Sequence, residues 1–552
     1  MRGRSVVGVF FLVWLVYAAI GIWLCMGQQF FMGDSLSRVQ AAQSVLFSRD
    51  PHLSAIGFIF TPLTAMAQLP LTALTPIWPP MTTEAVSAAI MSAGFGAGAV
   101  IQVWGIARDR GVTPWMGNAV SICFAINPMI VFYSANGMSE APFIFFLTWT
   151  VRRLLRWADT DDVHELIVAA VALALGYLTR YDGGAAAVAA AGFVAVVTFR
   201  RADRTKRYRR VVMDVALVEL PSAVAFFVWA FTSWLITGNL FAQFSSQYGN
   251  TAILEQTVGS EGSATTSAIR FALSELVILA PLFAIVLPMV AVIRFRRRRL
   301  YPLMVGLAVI GAVLAFQILS YVRGTTFGFM RFYITVIPLS AIVALLALPA
   351  TRPSPFRRLG RHAEPPPVGT VGRHPIGYRV AAVVAALSMV VAIPTTAAGM
   401  NTSTYGNQEF ALGALLVPRP DSTDPHLLDA QKVARAFSTE REIAQYLDSL
   451  HLPDGSVICD TVFGFAVVVR STRPKQFVIP SDQDFTNILN DPALNGVQYI
   501  LTVPKEGRGE SDAINTRYPT IYENGAQIGV LTLEARNQGA YLPTWRIYRV
   551  LD

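Results

Sequence analysis

The chain has 552 residues, 53% of them hydrophobic and only 14% charged, with a mean hydropathy of +0.47. A soluble domain carries roughly 25% charged residues, so most of this chain is neither a soluble enzyme nor a disordered segment. The net charge of +9 comes from 44 basic residues, only four of them Lys, set in short Arg runs; that distribution argues against nucleic acid as a partner. Arg in place of Lys, with abundant Ala, suits a GC-rich bacterial genome. Three cysteines, Cys25, Cys123 and Cys459, lie too far apart for a disulfide framework or a zinc spacing.

A membrane-crossing helix needs about 20 predominantly apolar residues. Eleven stretches qualify: 5–26, 81–107, 113–134, 139–156, 164–180, 183–199, 211–236, 268–293, 300–322, 331–350 and 379–397. The first reads as an uncleaved anchor, because it is long for a signal-peptide core and Cys25 follows Leu24 rather than a small residue. A long loop, 27–80, comes next. Asp34 follows Gly33 as a candidate helix N-cap, and Leu36, Val39, Ala42 and Leu46 give the helix one apolar face that can lie along a membrane. Asp34 and Arg38, four apart, share a face. Gly94, Gly96 and Gly98 fall inside a span and read as packing positions. The stretches 164–180 and 183–199 are short enough to form a broken pair. Glu219 sits inside the seventh span, near Pro221.

Basic residues fix the orientation. With the N-terminus in the cytosol, the cytosolic segments before residue 398 hold 25 Lys and Arg, including 200–210 and 294–299, against six outside: Arg38, Arg49, Arg180, Arg270, Arg323 and Arg331. The segment 351–378, with Pro365, Pro366 and Pro367, reads as a flexible cytosolic linker. The division is then a transmembrane domain over 1–397 and an extracytoplasmic domain over 398–552. In the second, β-rich runs at 456–460, 475–480, 497–503, 528–533 and 545–550 alternate with helical patterns at 438–450, opening on a capping-type Ser438, and 481–492. That alternation predicts a small α/β layer domain. The fold class is thus a polytopic α-helical membrane protein with a C-terminal α/β domain.

Chemistry in such a chain is sought at the outer helix ends, where polar residues collect. The loop QQFFMGDSLSRVQ (28–40), the turn Arg49-Asp50-Pro51-His52 and the segment FTPLTAMAQLP (60–70) together resemble the first external loop of the GT-C glycosyltransferase superfamily. That superfamily includes protein O-mannosyltransferases, lipid A aminoarabinose transferases and mycobacterial cell-wall mannosyl- and arabinosyltransferases. FYSANGMSEAPFIFF (132–146), LGYLTRYDGG (175–184), WLITGNLFAQFSSQY (234–248) and GFMRFYITVIPLSA (328–341) fit the same order and side of the membrane. The likeness covers about 30–400 and, more loosely, the tail.

The resemblance implies transfer of a sugar, of mannose or arabinofuranose type, from a polyprenyl-phosphate donor to an envelope glycan, lipid or protein, outside the cytoplasm at the cell membrane. Asp34 is the expected general base, with Glu140 the second acidic catalytic residue. Arg180, Arg323, Arg331 and Arg38 are the expected phosphate ligands, since guanidinium forks match phosphate oxygens. Tyr181, Asp182, His52, Gln247 and Tyr248 are candidate substrate contacts. No cofactor is certain; a divalent metal stays open, held only if the fold gathers Asp34, Glu140 and Asp182. Direct displacement would invert the anomeric carbon. Each residue has a plainer role as a cap, helix end or ion pair. Asp159-Thr-Asp161-Asp162 and Asp482-Gln-Asp484 mimic a metal-binding DxD but lack a nucleotide-binding context. The rivals are a lipid or sugar transporter, which wants charge at mid-membrane and a repeated half, and a non-catalytic envelope scaffold.

Overall fold

The computed structural model describes residues 2–246, 249, 254, 265–296, 300–348, 376–419, 421–540 and 542–551. Gln247, Tyr248 and residues 351–375 of the expected linker lie outside the described residues.

The apolar stretches form helices. Seven of those described are long and apolar enough to cross a membrane, and nine if each of two bent pairs is one span. The pair Pro114–Ala125 and Pro128–Ala135 bends by 59° and the pair Thr266–Leu279 and Phe283–Arg296 by 76°. Pro128 and Pro281 stand at the breaks; proline cannot continue the preceding hydrogen-bond ladder. Asn127 restarts the first pair by accepting from the Met129 N–H. The eleven-span expectation differs at two elements. Glu140–Thr160 carries Arg152, Arg153, Arg156 and Asp159 along its second half. Val163–Tyr177 has 15 residues, about 22 Å of helix against a hydrocarbon core of about 30 Å.

The bundle is built on small residues. A methyl group on Gly96 would lie 2.1 Å from Ser134 Oγ, and one on Gly98 would lie 2.7 Å from the Phe145 ring. Val336 through Leu348 are almost wholly buried at the centre. By contrast Arg207–Thr237 leaves Val212, Leu220, Phe227, Phe231 and Leu235 exposed. An apolar stripe of that size is a surface for lipid, not water. The chain is a multi-pass membrane protein.

Charge collects at the two ends of the bundle. At one end Asp109 pairs with Arg152 and Arg156, each at 2.7 Å, and Glu165 with Arg153 at 2.9 Å. Asp159 meets Arg110 at 3.8 Å and accepts from the Tyr301 hydroxyl at 3.1 Å. Asp161 pairs with Arg201 and Arg210, and Asp162 caps the next helix. The DxD-like run is therefore consumed by ion pairs and a cap. At the other end lie Asp34, Glu140, Arg180 and Arg331.

Beyond Met400 the five β-rich runs become five strands: β1 Val457–Ile458, β2 Phe477–Val478, β3 Tyr499–Thr502, β4 Gly529–Ala535 and β5 Trp545–Val550. Their order is β2-β1-β3-β5-β4, with β1 parallel to β2 and β3, and β5 antiparallel to β3 and β4. The helix Ser438–Ser449 begins without a side-chain cap; the Ser438 hydroxyl donates back to the Arg435 carbonyl instead. Asp484 stands at the N-cap position of the helix Phe485–Asn490 without a side-chain cap bond, and its carboxylate and that of Asp482 grip Arg49 of the loop 27–80.

This sheet unit is packed onto the helix Gly33–Phe47. Phe31, Leu36 and Val39 share one apolar cluster with Phe437, Phe465, Ala466 and Val469. Arg470 locks the seam. It pairs with Glu84 at 2.6 Å, donates to the Thr83 carbonyl at 2.8 Å and lies 4.2 Å over the Phe31 ring.

Candidate functional site at the charged end of the bundle

Five elements converge here. The Gly33–Phe47 helix brings Asp34 and Arg38. The N-terminus of Glu140–Thr160 brings Glu140, and the turn after Val163–Tyr177 brings Arg180, Tyr181 and Asp182. The one-turn 3-10 helix Met330–Tyr333 brings Arg331. The helix Thr461–Arg470 of the sheet unit packs onto the first of these.

Asp34 is not the cap expected of it. Met32 holds the N-cap position, and Asp34 stands in the first turn with its carboxylate turned to Arg331, 2.9 Å away. Arg180 links the other two acids, meeting Glu140 at 2.8 Å and Asp182 at 3.1 Å. Ser139 bridges the two halves: its hydroxyl accepts from Arg38 at 3.5 Å and from Arg180 at 3.4 Å. Arg38 also donates to the Asp34 carbonyl at 3.1 Å and lies 4.3 Å over the Phe60 ring. Phe332 lies between two guanidiniums, its ring centre 5.3 Å from both Arg180 and Arg331. The aromatic floor leaves these cations less hydrated than in water, which strengthens their pull on an anion.

Burial pushes the Asp34 carboxyl up, but the guanidiniums of Arg331, Arg38 and Arg180 outweigh it and hold Asp34 below the usual carboxylate range. Burial draws Arg38 below its ordinary value, against the opposing pull of Asp34 and Glu140. Two buried atoms of the cluster, Glu140 Oε2 and Arg331 Nε, have no hydrogen-bond partner among the described residues. Buried polar atoms are nearly always satisfied, so these are places a substrate's polar groups would fill.

The expected residues separate into two groups. Asp34, Arg38, Glu140, Arg180, Asp182 and Arg331 stand together. Tyr181 flanks them, donating to the Phe58 carbonyl at 3.5 Å and accepting from the Trp229 indole at 3.2 Å. Arg323 is exposed at the end of the helix Ala312–Val322 and joins none of these ion pairs. His52 turns to its own loop, its Nδ1 lying 2.7 Å from the Asp50 carbonyl oxygen, and Asp50 accepts from the Gln483 N–H. Among the described residues no three His, Cys, Asp or Glu stand close enough to hold a metal ion. Asp34, Glu140 and Asp182 each face a guanidinium rather than one another.

Four participants carry no local signal in the sequence. Ser139 is an ordinary polar residue beside Glu140. Glu409, buried, accepts from the Tyr133 hydroxyl and lies in the field of Arg331. Glu275, also buried, leaves both carboxyl oxygens without a partner among the described residues. Arg508, in the turn Gly507–Ser511, lies in the field of Asp34.

Residues 81–229 match the sequence model of a family described as dolichyl-phosphate-mannose-protein mannosyltransferase. The match includes Glu140, Arg180 and Asp182 but not Asp34 or Arg331. No curated protein sequence matches the chain. Among solved structures, the chain is similar to the protein O-mannosyltransferase Pmt1-Pmt2 complex of S. cerevisiae bound to the sugar donor, at 16% identity and a TM-score of 0.32. That alignment covers 46% of this chain and 37% of the yeast chain, so the chain spans well under half of it. It is also similar to the Archaeoglobus fulgidus oligosaccharyltransferase AglB in complex with an inhibitory peptide and a dolichol-phosphate, at 11% identity and a TM-score of 0.41, covering 95% of this chain and 72% of that one. A second structure of the A. fulgidus oligosaccharyltransferase, with Zn and sulfate, gives 12% identity and a TM-score of 0.41 over 89% of this chain and 68% of that one.

Proposed function

We propose that this chain, a GT-C-type glycosyltransferase by the family match of residues 81–229, takes a sugar from a polyprenyl-phosphate donor and adds it to an envelope acceptor outside the cytoplasm. The observation that carries the reading is the Asp34–Arg331 pair standing beside the Glu140–Arg180–Asp182 pairs. Three carboxylates and two guanidiniums thus stand together at one charged end of the bundle, the end where the expected topology puts a lipid phosphate.

Bond breaking at the anomeric carbon puts the electron pair on a phosphate oxygen. That leaving group is already a stable anion, so cations serve it better than a general acid. Arg331, Arg180 and Arg38 supply them. The acceptor hydroxyl needs a base on the opposite face, and Asp34 takes its proton. A carboxylate held low by Arg331 is a weak base while that pair is intact. The donor phosphate competes for the Arg331 guanidinium. As Arg331 turns to the phosphate, Asp34 loses its partner and gains basicity, so activation of the acceptor follows donor binding. A single displacement inverts the anomeric configuration. Glu140 orients Arg180 and, through its free oxygen, a sugar or acceptor hydroxyl.

The chain's course supports the eleven-span topology. Glu140 and Arg180 meet at one end of their two helices, while Arg153, Arg156 and Glu165 meet at the other. That antiparallel hairpin runs from one charged end of the bundle to the other, although neither helix passes a length-and-composition test. The basic excess of the Asp109 end supports placing it in the cytosol. The seam at Arg470 and Arg49 then supports an outside position for the sheet unit.

The test uses purified protein in nanodiscs with labelled polyprenyl-phosphate mannose or arabinose and an envelope glycan extract. The reading expects donor-dependent product, release of polyprenyl phosphate and an inverted anomeric centre by NMR. No product from either donor with any acceptor, in folded protein, would count against it.

A further inference from the structure

Glu275 is a buried acid that the proposed chemistry does not use. It stands on the helix Thr265–Leu279 and is fully enclosed. Among the described residues it is the one carboxylate whose two oxygens are both buried without a hydrogen-bond partner, and no ion pair reaches it there. Buried polar atoms are nearly always satisfied, and one left open costs free energy until a donor fills it. A residue kept for packing alone would do better as an apolar side chain. An ionisable residue within a membrane-spanning helix marks a functional site by default.

Contacts on the same face of the helix fix where Glu275 lies. Phe271, Glu275 and Ile278 follow at i, i+4 and i+7. The Phe271 ring packs against Tyr321 at 5.5 Å and stacks on Tyr405 at 5.7 Å. Ile278 meets Met330 beside Gly399, where an added methyl group would strike both side chains. Glu275 is thus set between the Tyr321 and Tyr405 rings on one side and the turn Met330–Tyr333 on the other. That turn carries Arg331, the partner of Asp34. It also carries Tyr333, fully buried, whose hydroxyl has no hydrogen-bond partner among the described residues. Four residues after Tyr405 stands Glu409, whose carboxylate is already filled by the Tyr133 hydroxyl and the Gln408 N–H. The open groups beside the phosphate cluster are therefore the two oxygens of Glu275 and the hydroxyl of Tyr333.

We propose that Glu275 and Tyr333 form a sugar-binding subsite next to the phosphate cluster, with Glu275 accepting from two neighbouring hydroxyls of one sugar ring and the Tyr333 hydroxyl completing the set. An ionised carboxylate only accepts, and it takes two donors side by side, as it does from a guanidinium fork. A metal ion is the poorer occupant, since no three His, Cys, Asp or Glu stand close enough to hold one among the described residues. The subsite supplies selectivity as well as grip: buried acceptors built for a hydroxyl reject a ring that lacks it. The proposal rests on the donor reading given above. The ring belongs to the lipid-linked donor or to the end of an acceptor glycan; both offer neighbouring hydroxyls, and the measurement separates them.

The test uses full-length wild type, Glu275→Gln and Tyr333→Phe in nanodiscs. Binding is measured for polyprenyl-phosphate mannose, polyprenyl-phosphate arabinofuranose, bare polyprenyl phosphate and polyprenol, and the half-saturating amount of an envelope glycan extract is measured in transfer. Glu275→Gln is expected to bind the preferred glycosylated lipid about tenfold more weakly, as loss of a charge-assisted contact requires, while its affinity for bare polyprenyl phosphate is unchanged. Without ligand it melts no lower than wild type, because a buried unpaired acid has gone. Tyr333→Phe shows the same selective loss, smaller in size. Unchanged donor binding with about tenfold more acceptor needed for half-saturation would also support the subsite and assign the ring to the acceptor. A Glu275→Gln protein that changes neither quantity, or that weakens glycosylated and bare lipid alike, would make Glu275 a structural residue and overturn the proposal, leaving the donor reading in place. Wild type that fails to prefer polyprenyl phosphate over polyprenol would overturn the donor reading itself, and the proposal with it.

Discussion

Replacing Arg470 by Met tests how the soluble unit is held over the site. The Arg470 side chain is 2% exposed and Glu84 17%. Met keeps the stem against Phe31 but removes the donors that serve Glu84, the Thr83 carbonyl and the Gln29 amide oxygen. Truncating one partner of a buried pair costs about 3–5 kcal/mol, because the other charge stays buried. Glu84 keeps some access to water, which places the loss near the lower end, about 3 kcal/mol. At about 1.4 kcal/mol per tenfold, the seam would open roughly 100-fold more often. Amides of the helix Gly33–Phe47, sealed under Phe437, Phe465 and Val469, exchange through that opening. Hydrogen–deuterium exchange of peptides covering 33–47 should therefore speed up by roughly that factor. Glu84→Gln on the Arg470→Met background should recover part of the protection, since no charge then remains buried. Unchanged exchange in the single variant would refute the claim that this pair anchors the unit.

Two further outcomes follow from the same electrostatics. Burial pushes Glu440, which accepts from the Trp545 indole, up to about 7. A carboxyl raised in the folded state contributes stability that is present below its unfolded value of about 4.3 and is lost as pH rises through about 7. Glu440→Gln should flatten that decline and stabilise the protein at pH 8 by as much as about 3 kcal/mol; parallel stability–pH curves for both proteins would contradict it. Arg331→Gln removes the strongest pull holding Asp34 low in the free enzyme, so the acid limb of kcat/KM should move to higher pH as well as losing amplitude. A pH–rate profile with an unmoved acid limb would separate Asp34 from Arg331.

The spans were legible because bilayer thickness demands long apolar runs; the bends at Pro128 and Pro281 were not foreseen, since 113–134 and 268–293 each read as one unbroken apolar stretch and the broken pair was looked for at 164–180 and 183–199. The β-runs 456–460, 475–480, 497–503, 528–533 and 545–550 reached the structure as strands because their β-branched residues are buried in a small sheet. Thr461–Arg470 was not foreseen as a helix: Val467, Val468 and Val469 favour strand locally, but Asp460 caps it and its apolar face meets the Gly33–Phe47 helix. Asp34, Glu140, Arg180 and Arg331 were found by combining the expected topology, which gathers polar residues at helix ends, with the resemblance of their segments to the GT-C superfamily. Partners more than 100 residues away could not. Nothing local distinguishes Arg508 or Glu409 from surface residues, and Asp34 reads as a cap until Arg331 is seen opposite it. Arg323 shows the reverse failure: it was expected among the phosphate ligands and stands exposed, outside the ion pairs of the cluster.

The central claim is that Asp34 removes the acceptor proton. The most direct measurement is single-turnover transfer from labelled polyprenyl-phosphate sugar by wild type and Asp34→Asn, with donor binding measured on the same samples. Loss of a positioned base should slow transfer by about 10²–10⁴-fold, while Asp34→Asn still binds donor, and at least as tightly, because Arg331 is released to the phosphate. Transfer at the wild-type rate by folded Asp34→Asn would contradict the account and move the base elsewhere in the cluster, with Glu140 the next candidate.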